Sequence, residues 1–377
     1  MMKKLLFVFG TRPEAIKIAP LIQYVKNNPS FFEYKVCVTA QHRQMLDQVL
    51  ELFEIVPDFD LNIMKKNQNL FTVTTSILDK IQAVLDEFSP DVVVVHGDTT
   101  TTMSTSLSAF YKQIPVAHVE AGLRTFNKYS PYPEEMNRQL TTKLATYHFA
   151  PTKLNQQHLL TEGVVEDDIV VCGNSVIDAL LFTKNRINND MGKKIELNDL
   201  LLPYKIDINR KYILVTGHRR ENFGDDFIKI CQSIKEIAIK YPDIDIVYPV
   251  HLNPNVQEPV FKYLRDIDNI YLLEPLDYEP FVYLLDNSFI ILTDSGGIQE
   301  EAPSLGKPVL LMRNNTERQE AVDAGTVKLV GCDKIVKNVQ NLLENEEDYT
   351  KMEGAQNPYG EGLTSKIIIE SLYEKLK

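Results

Sequence analysis

Apolar residues along the first half of the chain follow two alternating patterns. Continuous apolar runs, such as residues 92–95, are typical of parallel strands buried on both faces. Between them, apolar residues recur every three or four positions, which predicts amphipathic helices. The predicted strands are residues 4–10, 34–39, 91–97 and 114–119, and the predicted helices are residues 14–27, 44–53, 70–88 and 102–111. This alternation predicts a parallel, doubly wound α/β sheet.

A second alternating series follows residue 210. Its predicted strands are residues 211–216, 244–250, 270–273, 289–293 and 309–312, and its predicted helices are residues 227–240, 257–265, 278–287 and 298–305. Residues 184–210 are polar and predict the domain junction. We therefore expect two Rossmann-like domains, residues 1–173 and 174–363, with a ligand cleft between them. A last helix at residues 364–377 is expected to pack back on the first domain.

Length and charge narrow the function. A chain of 377 residues is too long for one hydrophobic core. Its net charge of −12 argues against a nucleic-acid surface but allows an anionic small ligand, because a few local cations and helix ends can bind phosphate. The first apolar run is too short for a signal peptide, and no run is long enough to span a membrane, so we expect a cytoplasmic protein.

The four cysteines are Cys37, Cys172, Cys231 and Cys332, and none belongs to a CxxC pair. All lie in or beside apolar segments, which favours reduced core thiols over a disulfide framework or a zinc site.

The segment from residue 115 to residue 138 looks least like scaffold. A short apolar strand ends in His118 and Glu120, and after a loop Glu134 and Glu135 open a predicted helix. Ionisable groups at the carboxyl end of a strand lie where open α/β sheets bind ligands, so we take this segment as the centre of an active site. Taken singly, the two glutamates suit the first turn of a helix on electrostatic grounds alone.

Two histidine–carboxylate pairs stand at predicted strand ends. His96 precedes Asp98 by two residues, as His118 precedes Glu120, and such residues share one face of a strand. Metal ligands, acid–base groups and buried structural histidines all fit this pattern.

Three strand–turn–helix segments have the composition of anion sites. In GTRPEAIK at residues 10–17, Arg12 and Lys17 are placed to reach one phosphate group from the start of a helix. In TDSGGIQEE at residues 293–301, two glycines allow close backbone approach, although an ordinary helix N-cap explains the segment equally well. GHRREN at residues 217–222 fits an anion site or a solvated charge run. Dinucleotide and P-loop signatures are absent from the sequence.

The motifs run in order through nearly the whole chain. They are GTRPEAIKIAPL (10–21), TAQHRQML (39–46), HGDTTTT (96–102), HVEAGLRT (118–125), YSPYPEEMNRQL (129–140), GHRREN (217–222), PVHLNP (249–254), EPLDY (274–278), LTDSGGIQEEAPSLGKPVL (292–310) and NPYGEG (357–362). Together they resemble the non-hydrolysing UDP-N-acetylglucosamine 2-epimerases.

The resemblance implies a GT-B-like fold with the active site in the interdomain cleft. It implies interconversion of UDP-GlcNAc and UDP-ManNAc by elimination to 2-acetamidoglucal and re-addition of UDP, without a metal or a nicotinamide cofactor. It also implies a homodimer, a second UDP-GlcNAc bound as an allosteric activator, and a supply of ManNAc for cell-surface polysaccharide.

The resemblance also assigns roles by motif. The catalytic set would be Asp98, Glu120, Glu134 and His218, the last beside the diphosphate. The nucleotide would contact Arg12, Lys17, His218, Ser295, Gly296, Gly297, Glu301 and Arg318. The activator would contact Gln41, His42, Gln44, Arg219 and His251.

Two departures from the family pattern concern binding. Gln319 stands where related sequences often have proline, and the loss of proline would loosen the loop that holds Arg318. Residues 66–68 lack an arginine that some relatives carry. The alternatives are a hydrolysing 2-epimerase that releases ManNAc and UDP, a GT-B glycosyltransferase, and a non-catalytic sugar-nucleotide sensor.

Overall fold

The computed structural model describes residues 2–40, 43–64 and 68–377. The chain divides into two compact units, Met1–Ala179 with Tyr359–Lys377 and Leu180–Pro358. The boundaries therefore lie six residues after, and five residues before, the expected positions at 173 and 363. The first unit extends to Ala179 because the carboxylate of Asp178 accepts hydrogen bonds from the backbone N–H groups of Thr364 and Ser365.

The first unit is built on a seven-stranded parallel sheet with the order β3-β2-β1-β4-β5-β6-β7. Its elements are β1 (Lys3–Phe9), α1 (Arg12–Asn27), β2 (Phe32–Val38), α2 (Arg43–Leu52), β3 (Phe59–Asp60), α3 (Leu70–Phe88), β4 (Val92–His96), α4 (Thr100–Tyr111), β5 (Val116–Val119), α5 (Glu134–Leu144), β6 (Tyr147–Ala150), α6 (Lys153–Thr161), β7 (Ile169–Val171) and the beginning of α7 (Ser175–Asn189).

The second unit is built on a six-stranded parallel sheet with the order β10-β9-β8-β11-β12-β13. Its elements after α7 are α8 (Met191–Leu201), β8 (Tyr212–Thr216), α9 (Asp225–Lys240), β9 (Asp245–Pro249), α10 (Pro254–Leu264), β10 (Ile270–Leu273), α11 (Tyr278–Asn287), β11 (Ile290–Thr293), α12 (Gly296–Glu301), β12 (Val309–Leu311), α13 (Gln319–Asp323), β13 (Val327–Leu329), α14 (Ile335–Glu344) and α15 (Glu346–Glu353). The chain ends in α16 (Thr364–Lys375), which belongs to the first unit.

Each sheet is doubly wound, so the prediction of two parallel α/β domains is confirmed. Residues Val92 to Val95 of β4 are fully buried, as the continuous apolar run predicts for a strand covered on both faces. The strand order reverses between β1 and β4 in one sheet and between β8 and β11 in the other. Open parallel sheets bind ligands outside the carboxyl ends of their strands at such switch points.

The polar stretch 184–210 was predicted to be the domain junction, but the chain passes from the first unit to the second at Ala179 and Leu180. Helices α7 and α8 together cover residues 175–189 and 191–201. The sequence pattern of α8 did not indicate a helix clearly, because only Leu197 and Leu201 are buried. Its apolar face is therefore too narrow to give a clear helical period. The Asp190 carboxylate caps its first turn by accepting from the N–H of Lys193.

The last helix packs on the first unit through aromatic contacts. Tyr373 of α16 stacks on Phe31 at a ring-centroid distance of 4.8 Å, and Tyr24 of α1 donates to the Glu370 carboxylate at 2.9 Å. The four cysteines are buried and form no disulfide. In the described ranges no helix is both long and apolar enough to cross a membrane.

Gly10 lies where the end of β1 approaches its neighbours most closely. A Cβ there would stand 2.0 Å from Thr39 Oγ1 and 2.6 Å from Thr101 Oγ1. These buried hydroxyls already share a hydrogen bond of 3.0 Å.

We therefore expect Gly10→Ala to destabilise the first unit by roughly 1–3 kcal/mol through overpacking. Scanning calorimetry should show a melting transition several degrees lower. The matched control is Gly192→Ala in exposed α8, where the nearest atom to a Cβ would be Asp190 Oδ1 at 3.2 Å, the end of an exposed side chain that can move. We expect this variant to change the stability by less than about 1 kcal/mol. Equal melting temperatures for Gly10→Ala and the wild type would contradict the steric argument.

Candidate active site

A pocket of about 450 Å³ lies at the switch point of the first sheet. It is lined by residues that follow the carboxyl ends of β1, β4 and β5 and by the start of α5. Four of the predicted site residues meet there: Lys17, Asp98, Glu120 and Glu134. The volume suits part of a small polar ligand.

Glu120 is the most constrained residue of the pocket. It follows β5 directly and has a φ of +62°, a left-handed conformation that is costly for a residue other than glycine. Its Oε2 accepts a hydrogen bond from Lys17 Nζ, lies 3.2 Å from His96 Nε2 and accepts from Asn174 Nδ2 at 3.3 Å. Strain at this position is maintained because the surroundings fix both the backbone and the carboxylate.

The charge of Glu120 depends on these neighbours. Burial by itself raises the pKa of this carboxyl group, but the positive charge of Lys17 and the imidazole of His96 outweigh it and hold the pKa well below its usual range. Glu120 is therefore ionised at neutral pH, which is the state that a general base requires.

Asp98 is held by an arginine of α5. The guanidinium of Arg138 donates to Asp98 Oδ2 from Nε at 3.1 Å and also from Nη2. The same arginine donates to Glu135 Oε2 at 3.0 Å. Glu135 is fully buried and accepts from the N–H groups of Thr125 and Phe126. Of the two glutamates that open α5, Glu135 thus fixes the preceding loop.

Glu134 differs from its neighbour Glu135 in its contacts. It lines the pocket, and its Oε2 is buried without a hydrogen-bond partner among residues 2–40, 43–64 and 68–377. The peptide bonds Ser130–Pro131 and Tyr132–Pro133 that precede it are both cis. A buried carboxylate oxygen without a partner is costly, so it marks a place where a ligand group can bind.

Glu14, which was not predicted as a site residue, also lines the pocket. Its Oε2 accepts from the N–H groups of Gly10 and Thr11 at 3.1 and 2.8 Å, and its Oε1 accepts from Thr99 Oγ1 at 2.7 Å. Burial raises the pKa of Glu14 against the opposing effect of these hydrogen bonds. The signal was present in the sequence, since Thr-x-x-Glu at residues 11–14 is a capping box.

The histidine–carboxylate pairs do not form a ligand cluster. His118 Nε2 lies 2.7 Å from the carbonyl oxygen of Gly97, and burial lowers the pKa of His118 to about 3, so the ring is neutral. It is a structural histidine, whereas His96 contacts Glu120. Within the part of the chain that the structure describes, no group of three or more His, Cys, Asp or Glu side chains could hold a metal ion.

The second sheet places a fully buried carboxylate at its own switch point. Asp294 follows β11 and accepts from the N–H groups of His218 and Arg219 at 3.0 and 2.9 Å and from Asn222 Nδ2 at 3.2 Å. Ser295, and not Asp294, is the N-cap of α12. Asp294 therefore fixes the loop after β8, a role that the sequence analysis missed.

The histidines His218 and His251 lie together. Their rings are stacked with centroids 5.1 Å apart and planes 13° from parallel. Burial lowers the pKa of His218, although the Asp294 carboxylate 3.9 Å from its Nδ1 opposes this shift. At neutral pH the ring is therefore a neutral hydrogen-bonding group.

The glycine turn of the second unit lies against Arg318. A Cβ on Gly296 would stand 2.8 Å from Arg318 Nη1, so a larger residue there would displace the end of the arginine side chain. Arg318 donates to Glu300 at 2.6 Å and to Glu317 Oε1 at 2.7 Å. The turn and a guanidinium thus adjoin, as an anion site requires.

Glu317 also contacts Arg219 at 3.3 Å and Arg313 at 3.0 Å. Burial raises the pKa of Glu317, but Arg318, Arg313 and Arg219 prevail and lower it to about 2. Helix α12 begins at Gly296, two residues earlier than predicted, and passes into a 3₁₀ turn at Ala302.

Three further residues considered in the sequence lie at the ends of helices. Arg12 is the first residue of α1 and is half-buried, and Glu301 ends α12 with its Oε1 3.4 Å from where a Cβ of Gly297 would stand. Gln319 begins α13 and bonds Asp323 at 2.8 Å. Gln41, His42, the side chain of Gln44 and residues 66 and 67 lie outside the described part of the chain.

Comparison with known proteins assigns the family. The sequence model described as "UDP-N-acetylglucosamine 2-epimerase" matches residues 24–373. The chain belongs to the UDP-N-acetylglucosamine 2-epimerase family. The resemblance that the motifs indicated is confirmed at this level.

The similarity to known UDP-N-acetylglucosamine 2-epimerases extends over nearly the whole chain. The UDP-N-acetylglucosamine 2-epimerase of Escherichia coli K12 is 58% identical over 98% of both chains. The Neisseria meningitidis enzyme, solved with UDP-GlcNAc, has a TM-score of 0.89 and 53% identity, covering 98% of this chain and 100% of that one. The Methanocaldococcus jannaschii enzyme, solved with UDP-GlcNAc and UDP, has a TM-score of 0.80 and 34% identity over 98% and 99%.

The buried histidines predict a specific loss of stability in acid. The pKa of His118 is lowered to about 3 and that of His148 to about 4, in both cases by burial. As the pH falls below about 6.5, the unfolded chain binds protons that the folded chain refuses. The contribution of the two neutral histidines to the free energy of unfolding is therefore complete above about pH 6.5 and declines below it.

Urea unfolding followed by circular dichroism between pH 7 and 5 should show this effect. Replacing His118 by glutamine, which can still donate to Gly97, should remove about 1.4 kcal/mol per pH unit of the slope below pH 6.5. The double variant with His148→Gln should remove about twice as much. Parallel curves for wild type and His118→Gln would contradict the assignment of His118 as neutral.

Proposed function

We propose that this protein catalyses the reversible C2 epimerisation of UDP-GlcNAc to UDP-ManNAc without net hydrolysis. The observation that carries the proposal is the meeting of Asp98, Glu120 and Glu134 in one pocket at the switch point of a parallel sheet. Relatives solved with UDP-GlcNAc support the choice of substrate.

Simple deprotonation at C2 is too difficult because C2–H is not next to a carbonyl group. The proposed route is therefore elimination, which needs an acid–base group near C2. In the first half, the electron pair of the C2–H bond becomes the second bond of C1=C2. The C1–O bond breaks, and UDP leaves with the electron pair of that bond. A pocket carboxylate takes the proton. In the second half, a proton reaches the opposite face of C2 and the UDP oxygen bonds C1 again. Atoms and electrons balance, and no oxidant, reductant or water is consumed.

The contacts of the carboxylates fit this chemistry. Glu120 is ionised beside Lys17 and can accept a proton. Glu134 has a buried oxygen without a partner in the described chain and can bind the sugar or carry a proton. Asp98 lines the same pocket and is paired with Arg138.

The second unit would hold the nucleotide. The turn Ser295-Gly296-Gly297 and Arg318 would bind phosphate oxygens, Glu301 would bind ribose hydroxyls, and His218 would stabilise the departing diphosphate. Arg12 would add a further cation, and Lys17 would divide its charge between Glu120 and the substrate.

A hydrolysing 2-epimerase is the second candidate, since water could capture the glycal in the same pocket. The motif TAQHRQML at residues 39–46, which matches the activator segment of the non-hydrolysing type, favours the first candidate. A GT-B glycosyltransferase would in addition need an acceptor site.

Incubation of the pure protein with UDP-GlcNAc in D2O and EDTA should yield UDP-ManNAc with deuterium at C2. Deuterium is expected at C2 because the proton removed from one face is replaced on the other face by a proton that exchanges with the solvent. NMR of the products measures this. Free ManNAc as the main product would indicate the hydrolase, and complete loss of turnover with EDTA would reinstate a metal site.

The matched variants for this assay are Glu120→Gln and Glu33→Gln. We expect Glu120→Gln to lower C2 exchange by roughly 10²-fold or more, while UDP binding stays within a few-fold. Glu33 lies in β2 with an exposed side chain, 3.9 Å from Lys4 Nζ, so its variant should retain wild-type exchange. Wild-type exchange in Glu120→Gln would remove Glu120 from the mechanism.

We also propose that the protein is a cytoplasmic homodimer. A second UDP-GlcNAc near Arg219 and His251 would activate it, and it would supply ManNAc for surface polysaccharide.

Exposed aromatic side chains support the dimer. Phe71 of α3 and Phe110 and Tyr111 of α4 are 83%, 57% and 70% exposed, and α3 packs beside α4. Exposed apolar groups on adjacent helices are typical of an interface.

Sedimentation equilibrium should therefore give twice the chain mass of 43.1 kDa. Replacing Phe110 by serine should weaken the dimer because it removes apolar contact area. A wild-type protein that sediments with a single chain's mass at micromolar concentration would contradict the dimer and leave the pocket chemistry unaffected.

A further inference from the structure

Asn174 touches the candidate base although no sequence motif singled it out. Its side-chain Nδ2 donates to Glu120 Oε2 at 3.3 Å, and the residue is only 3% exposed. It lies in the turn between β7 and α7, immediately before the first residue of α7.

The orientation of this amide is fixed by its other contacts. Its Oδ1 accepts a hydrogen bond from the N–H of Val176 at 3.1 Å, which caps the start of α7. Because the oxygen is used in this way, the nitrogen is the atom that faces Glu120. The backbone N–H of Asn174 donates to the carbonyl oxygen of Tyr359 at 2.7 Å.

Asn174 thus lies where two distant segments of the first unit are joined. A Cβ on Gly173 would stand 2.8 Å from the Tyr359 carbonyl oxygen and 3.3 Å from Gly360 Cα, so the two backbones are in close contact. Asp178 adds hydrogen bonds to the N–H groups of Thr364 and Ser365 at 3.2 and 2.7 Å. These segments adjoin the two points where the chain leaves and re-enters the first unit, after Ala179 and before Tyr359.

We propose that Asn174 is a positioning residue for Glu120, held in place by its bonds to Tyr359 and Val176. The proposal rests on the proposed function, in which Glu120 exchanges the C2 proton. The amide supplies a neutral donor to the same oxygen that Lys17 contacts. It therefore orients the carboxylate without adding charge.

The charged neighbours of Glu120 set what a change at Asn174 would do. Lys17 of α1 and His96 of β4 face Glu120 directly. Glu14, Asp98 and Glu134 line the same pocket. A further carboxylate at position 174 would act against Lys17 and raise the pKa of Glu120.

Two variants separate the donor from the charge. Both Asn174→Asp and Asn174→Ser keep an oxygen that can cap α7, so folding should be retained. In Asn174→Asp the donor becomes a negative acceptor. We expect kcat to fall about tenfold or more through misorientation, with KM changing less than about threefold. The acid limb of the kcat–pH profile should move to higher pH by roughly one unit.

In Asn174→Ser the hydroxyl is too short to reach Glu120 and adds no charge. We expect a several-fold lower kcat with the acid limb unchanged. The control is Asn345→Asp, the same exchange at the N-cap of α15, whose Oδ1 accepts from Glu347 and Asp348. That helix carries none of the predicted site residues, so kcat and its pH profile should match the wild type.

Titration of the Glu120 carboxyl by ¹³C NMR gives a readout that does not depend on turnover. Asn174→Asp should raise its pKa relative to the wild type. An unchanged pKa together with an unchanged acid limb would overturn the proposal, as would equal kcat losses in both variants with no shift in either. A wild-type protein that forms no UDP-ManNAc would instead count against the proposed function, and the NMR titration would still decide the role of Asn174.

Discussion

The carboxylate of Glu120 is largely buried at the end of β5, and the ammonium group of Lys17, together with His96, allows it to remain ionised there. An unpaired charge in such a place would be neutralised by a shift of its pKa. The pairing requires the first turns of α1 to lie against the end of β5, across 103 residues of sequence. The capping contacts of Glu14 with Gly10 and Thr11 fix those turns. The geometry of the pocket therefore depends on one charge balance and on the loop that supports it.

The periodic pattern of apolar residues was sufficient for most of the fold. Helix α3 and strand β10 have the predicted bounds, because their apolar positions are strongly periodic and their ends carry capping or turn residues. The location of the pocket was also predictable, since charged residues after buried parallel strands converge at one edge of a sheet. Helix α8 was missed because its buried face is narrow, with only Leu197 and Leu201 buried.

Partners across the chain were much less predictable than positions. Lys17 was predicted to bind phosphate, and in the structure it contacts Glu120; local spacing indicates a cation but not which distant anion it meets. Asn174 and Asp294 were not assigned, because their partners are Glu120 and backbone N–H groups far away in sequence. The role of Glu134 came from the family resemblance alone, since its own sequence context is that of any helix start.

The two units use buried carboxylates in the same way. Glu14 accepts backbone N–H groups after β1, and Asp294 accepts those after β8, each at the switch point of its sheet. In each case the carboxylate satisfies the amides of the turn, and cationic or imidazole side chains extend from that turn: Arg12 in one unit, His218 and Arg219 in the other. A loop fixed from beneath loses little conformational freedom when a ligand binds, so its charges are preorganised. Under the proposed function, this arrangement would reconcile a net charge of −12 with an anionic substrate, because Glu14 and Asp294 bond the backbone of the turns that carry the basic side chains.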